Sequence, residues 1–144
     1  MPTITLDQAS AVVDAALAAG REWGFEPLTV VVLDNGGHVV AAKREDGSGI
    51  LRYELALGKA YGALGFGLGS RTLAGRAAKV PGFMMAASMA AQGRVVPAPG
   101  GVLIKTADGE LLGAVGMSGD TGENDEKCAL SGIAAAGLSA DPGA

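Results

Sequence analysis

Aromatic side chains and sulfhydryls are scarce in this 144-residue sequence, which holds three Phe, two Tyr, one Trp and a lone Cys128. One thiol excludes an internal disulfide framework and the four-ligand Cys/His set of a structural zinc site, and it suits a reducing cytosol. There is also one histidine, His38, so a Ser/His/Asp triad would have a single imidazole to draw on. No basic run occurs, acidic residues are spread along the chain and the net charge is -4, so the electrostatic footprint of a nucleic-acid binder is missing. The start, Met1-Pro2-Thr3-Ile4-Thr5, has no basic segment followed by an apolar run and does not read as a signal peptide. The apolar stretch from Leu55 to Gly69 is too short for a bilayer and carries Lys59. A cytoplasmic protein with neither nucleic-acid nor membrane partners is expected.

What is abundant is glycine, at 24 residues, within a hydrophobic share of 49%. Small residues must carry much of the packing, and the length fits one domain over residues 1–144. Dedicated glycine motifs fail on inspection. No complete G-x-G-x-x-G follows a strand, no P-loop occurs, and Gly116-Met117-Ser118-Gly119 has Asp120 where a nucleophile elbow requires glycine.

Thr5 and Gln8 form a capping-box pattern, and Leu6, Ala9, Val13 and Ala16 recur at helical spacing, predicting a helix to about Gly24. Leu28 to Leu33 is a buried strand by its β-branched content, and Asp34-Asn35-Gly36-Gly37 a turn into a second strand, His38 to Arg44. Simple alternation places His38, Val40, Ala42 and Arg44 on one face. Ile50 to Phe66 reads as helix, with Gly58, Gly62, Gly65 and Gly69 on one stripe. That stripe reads equally as close approach of another backbone and as a loosening helix end. Ser70 to Lys79 carries Arg71, Arg76 and Lys79, and Pro81-Gly82 separates it from a Met-rich short helix, Phe83 to Ala91; a hairpin of Val102–Lys105 and Leu111–Ser118 follows, and a last helix from about Glu123. The fold class is α+β: one antiparallel sheet flanked by helices.

Polar residues gather at His38, Arg44 and Asp46, at Lys59, and at Asp125 with Glu126. Two readings are open. In one, Arg44 and Lys59 anchor a carboxylate-bearing small molecule in a binding module, Arg71 being a further anchor. In the other, a small enzyme of hydrolase or tautomerase type acts on an unsaturated or oxo carboxylic acid, with Arg44 as anion clamp and Asp46, Asp125 or Glu126 as acid or base. Plain ion pairing and helix capping account for the same charges. His38 is the one histidine available to haem iron; Met84, Met85 and Met89 are soft alternatives better explained by packing. Cys128 reads as a small buried residue, and no metal site is expected.

The strings Val32-Leu33-Asp34-Asn35-Gly36-Gly37-His38, Arg44-Glu45-Asp46-Gly47, Lys59-Ala60, Gly100-Gly101, Gly113 to Gly119 and Asn124-Asp125-Glu126 occur in an order that resembles the GlcG/HbpS family. That family also covers the carboxy-terminal domain of PduO-type cobalamin adenosyltransferases. The resemblance implies a profilin-like antiparallel sheet of about five strands with flanking helices, and homo-oligomers from dimer to octamer. It implies haem as cofactor, with His38, Arg44, Lys59, Gly100 and Gly101 around a ligand. The glycine stripe and the Met-rich helix are the contact surfaces expected for assembly.

Overall fold

The structure, a computed structural model, describes residues 2–144; Met1, the first residue of the amino-terminal stretch considered above, lies outside the described residues. Helix α1 (Leu6–Trp23) begins at Thr5, whose hydroxyl accepts from the Gln8 amide while the Gln8 side chain accepts from the Thr5 amide. It stops at Gly24, where a φ of 72° is open to glycine at little cost. Then come β1 (Thr29–Asp34), β2 (Val39–Arg44), α2 (Arg52–Phe66), α3 (Ser70–Lys79), α4 (Pro81–Ala90), β3 (Gly101–Lys105), β4 (Leu111–Ser118), α5 (Gly122–Ala135) and β5 (Ser139–Asp141).

The five strands form one antiparallel sheet in the order β2-β1-β4-β3-β5. One face packs Val30, Val32, Val115 and Met117 against α1 and α5 residues such as Val12, Val13, Ala129 and Ile133. The other packs Val31, Leu33, Leu103 and Ala114 on Ala56, Ala60 and Ala63 of α2. Burial on both faces is why the β1 run shows no polar alternation. Helices α3 and α4 extend the α2 layer, with Leu73, Met84 and Val95 as a third small cluster.

Glycine sets how closely α2 approaches. A side chain at Gly116 would overlap the Ala56 carbonyl oxygen, and one at Gly101 would overlap that of Lys59, so helix backbone rests directly on sheet backbone. The glycine stripe of α2 is filled from within the chain: an added Cβ at Gly58 would meet Val96, and one at Gly62 would meet Val95. Gly65 has open space, and Gly69 abuts Pro142. Close approach therefore holds at two of the helical positions, and what approaches is this chain's own 95–96 segment, which leaves those positions unavailable to a second subunit.

Alternation along β2 is broken. The pairing with β1 shifts between Val32 and Leu33, so Val40 bulges and joins Ala41 against the α1–α5 cluster instead of sharing a face with Ala42 and Arg44. His38 sits in the turn before the strand.

Candidate functional site

The residues singled out above fall into three groups: His38 at the turn, where Leu33 pairs with Val39; Arg44 and Asp46 at the far end of β1, where Thr29 pairs with Arg44; and Lys59 with Asp125 and Glu126 where α5 meets α2 and α3. At the turn, the Asp34 carboxylate organises the loop. Its Oδ1 accepts from the amides of Gly36 (2.9 Å) and His38 (3.0 Å) and lies 3.3 Å from His38 Nδ1. The His38 amide, helped by that of Gly36 and by the imidazole, holds the Asp34 carboxyl below its usual range. The His38 side chain is 81% exposed, and a carboxylate beside one ring nitrogen is the kind of outer partner that metal-binding histidines carry. Glycine at 36 makes room for the ring, since a Cβ there would lie 2.9 Å from Nδ1.

Beside this turn is a recess of about 160 Å³ lined by Asn35, Gly36, Gly37, Tyr61, Leu64 and Gly65. Gly37, at φ 82°, comes so close to the Tyr61 ring that a side chain there would stand 2.9 Å from Cε2. On the ring lies the Arg94 guanidinium, its carbon 4.2 Å from the centroid; its Nε donates to the Ala91 carbonyl (2.9 Å), which leaves the two terminal nitrogens to meet an anion. Asn35 donates to the Pro2 carbonyl, and its buried Oδ1 has no partner among the described residues, so a hydrogen-bond donor is owed to this wall.

Away from the turn, Lys59, Gly100, Gly101 and Asp125 meet. The Lys59 ammonium donates to the Met117 carbonyl (2.8 Å) and to Asp125 Oδ2 (3.1 Å), while Asp125 Oδ1 accepts from the Asp120 amide. Only glycine fits at position 100, where a Cβ would lie 3.0 Å from Lys59 Nζ. Burial pulls the Lys59 pKa down against the opposing pull of Asp125, and pushes the Asp125 pKa up against that of Lys59. Glu126 takes a bidentate contact from Arg71 Nε (3.0 Å) and Nη2 (2.8 Å). Helix α5 is capped instead by Thr121, whose hydroxyl accepts from the Asn124 amide. Asp125 and Glu126 thus fasten α5 to α2 and α3.

Arg44 and Asp46 line a separate open recess of about 460 Å³ with Arg21, Pro27 and Glu45. Arg21 is pinned there, Nε to Glu45 (2.9 Å) and Nη2 to the carbonyls of Phe25 and Glu26. Ser118 is fully buried and its hydroxyl accepts from Arg52 (3.2 Å). Cys128 is buried, and desolvation with nearby Asp125 and Asp120 pushes its thiol up to about 12. No group of three or more His, Cys, Asp or Glu side chains is placed to hold a metal ion among the described residues. The sequence reasoning did not single out Asp34 as the partner of His38, nor Tyr61, Arg94 or Arg52. Asp34 was detectable, four positions before the histidine in one turn; Tyr61 and Arg94 are joined only by the fold.

A family profile described as "Haem degrading protein HbpS-like" matches residues 4–134. A Citrobacter freundii protein, described as an uncharacterized 15.0 kDa protein in the dhaT-dhaS intergenic region, is 32% identical over 124 residues, 85% of this chain and 84% of that protein. The fold is similar to the crystal structure of HbpS, at 29% identity and a TM-score of 0.79, covering 93% of this chain and 90% of that one. It is also similar to the crystal structure of a PduOC:heme complex, at 25% identity and a TM-score of 0.83, covering 95% and 97% respectively. No helix among the described residues is long and apolar enough to cross a membrane.

Proposed function

Because this chain belongs to the HbpS-like family, we propose that it is a haem-binding protein that works as a self-associated assembly, with His38 as the iron ligand. The observation that carries this reading is the Asp34–His38 pair: a carboxylate 3.3 Å from Nδ1 on an imidazole whose side chain is 81% exposed. The surrounding residues fit the same group. Tyr61 and Leu64 offer apolar faces, and Arg94 on the Tyr61 ring is a cation suited to a propionate. The orphaned Asn35 Oδ1 suits a protonated propionate or a water that bridges to one. When bound, haem would supply a redox-active iron; the chain supplies position, a carboxylate beside the imidazole and partial shelter from water. A recess of about 160 Å³ takes only one edge of a macrocycle, which is why a second copy over the open side belongs to the proposal.

Titration with haemin, followed in the Soret band, tests it. A red-shifted band that saturates near one haem per chain is expected, with His38→Ala losing the shift. An unchanged haemin spectrum at several-fold protein excess refutes the reading.

A second reading rests on Arg44, which lines the recess of about 460 Å³ and has no carboxylate within ion-pair distance among the described residues. It is the anion clamp of a site for a carboxylate-bearing ligand, with Asp46 as acid or base. Asp125 and Glu126 take no part there, being held by Lys59 and Arg71. Turnover or binding of small oxo acids that survives Arg44→Ala would dismiss this reading.

A further inference from the structure

Acidic residues occur from Asp7 to Asp141, yet none falls between Leu55 and Ala107, a stretch that holds Lys59, Arg71, Arg76, Lys79, Arg94 and Lys105. All 15 acids of this net-negative chain therefore lie outside that stretch. Helix α4, inside it, contains no charged residue, and of its ten residues only Met84 is buried. Phe83, Met85 and Met89 are 60%, 68% and 78% exposed. Against α4 lies an apolar recess of about 290 Å³ whose lining includes Pro81, Met84, Met85, Val95 and Pro97. Arg76 and Lys79, both exposed, stand on α3 next to the lining residues Ala77 and Pro81, so the apolar surface has a basic side.

The opposite combination stands at the start of α2. Ile50 is 92% exposed, the most exposed large apolar side chain among the described residues, and Leu51 and Tyr53 are 60% and 38% exposed. Asp46 and Glu54 flank them in sequence, both exposed and neither in an ion pair among the described residues, while Arg52 in the same run is half-buried and donates to Ser118. An apolar knob with acidic flanks and an apolar recess with a basic side thus sit on one chain, at different elements.

We infer that the Ile50–Tyr53 knob of one copy docks in the α3–α4 recess of a second copy, so that the chain assembles head to tail. The charges match across such a contact, Asp46 and Glu54 facing Arg76 and Lys79, whereas two α4 helices brought together would set these cations against their own copies. Apolar area in the centre with charged residues at the rim is the usual anatomy of a specific interface. A heterologous contact uses two different patches, so it closes into a ring or runs on, in contrast to a two-fold contact of one patch with itself. The self-association proposed above is the premise; the patches that carry it are what is added.

The test uses Ile50→Glu and Met85→Glu, both at exposed positions, with circular dichroism to verify folding and light scattering with native mass spectrometry to weigh the species. Each variant alone is expected to fall to half the wild-type mass or less. Mixing the two restores a larger species, because one retains an intact recess and the other an intact knob. Lys79→Glu weakens assembly and Glu54→Lys in the same chain recovers it. A wild-type protein that is monomeric at tens of micromolar overturns this inference together with the self-association. An oligomer untouched by both substitutions overturns only the contact, as does an α4 contact broken by Met85→Glu but not by Ile50→Glu. Binding of wild-type protein to anionic lipid vesicles, abolished by Met85→Glu alone, would also overturn it by assigning α4 to a membrane.

Discussion

Replacing Lys59 by Met separates the two roles of a buried ion pair. Its side chain is 6% exposed and that of Asp125 1% exposed, with 3.1 Å between the charged atoms. At an effective dielectric of about 20, attraction over that distance is worth about 5 kcal/mol. Removing the two charges from water costs several kcal/mol each, so the net contribution of the intact pair is near zero. Lys59→Met removes the attraction and leaves the Asp125 carboxylate buried with only the Asp120 amide on it, a loss of about 3–5 kcal/mol. In Lys59→Met/Asp125→Asn the buried charge is gone and an amide oxygen can still accept from Asp120, so the loss should be about 1–2 kcal/mol. Urea unfolding at fixed protein concentration, followed by far-ultraviolet circular dichroism, measures both variants. The penalty of the single variant must also shrink as the medium is acidified. Burial raises the folded pKa of Asp125 above the 3.8 of the free acid, so below its folded value it is neutral and no unpaired charge remains. A single variant within about 1 kcal/mol of wild type, or a double variant worse than the single, would refute the reasoning.

Three further outcomes follow from other sites. Cys128, with its thiol pushed up to about 12, should resist alkylation by iodoacetamide at pH near 8 in the folded protein and react at once in denaturant; rapid labelling without denaturant would contradict its burial. Gly116→Ala forces a methyl group onto the Ala56 carbonyl and should cost at least about 3 kcal/mol, while Gly75→Ala, where nothing lies within 4 Å, should be neutral or slightly stabilising. Asp120 accepts from the amides of Glu26 and Thr121 and from the Asn124 side chain, which lowers its pKa below 3.8. Its contribution is present above the unfolded pKa and lost as pH falls through the folded value, so Asp120→Asn should flatten the acid limb of a melting-temperature profile.

Local rules made the helices and hairpins readable. The Thr5–Gln8 capping box, the β-branched run of β1 and the turn glycines each act over a few residues, and the family strings fixed the fold class. The bulge at Val40 was not readable, because it depends on which β1 residue lies opposite. Strand β5 is three residues long and takes its identity from pairing with β3. At the site, sequence proximity served for Asp34 and His38 but misled for Asp125 and Glu126. Their position at a helix start reads as capping, and only the packing of α2 and α3 shows that they turn inward to Lys59 and Arg71. The glycine stripe left close approach and a loosening helix end equally open; Gly58 and Gly62 face the chain's own Val95–Val96 while Gly65 faces open space.

The central claim is ligation of haem iron by a His38 held by Asp34. Its most direct test is the visible spectrum of the haem-loaded protein, wild type against His38→Gly with and without added imidazole. The account predicts a histidine-ligated spectrum for wild type, its loss in the glycine variant, and its return when imidazole occupies the vacated position. A wild-type spectrum that survives His38→Gly unchanged, with the fold intact, would place the iron on another ligand and contradict the account.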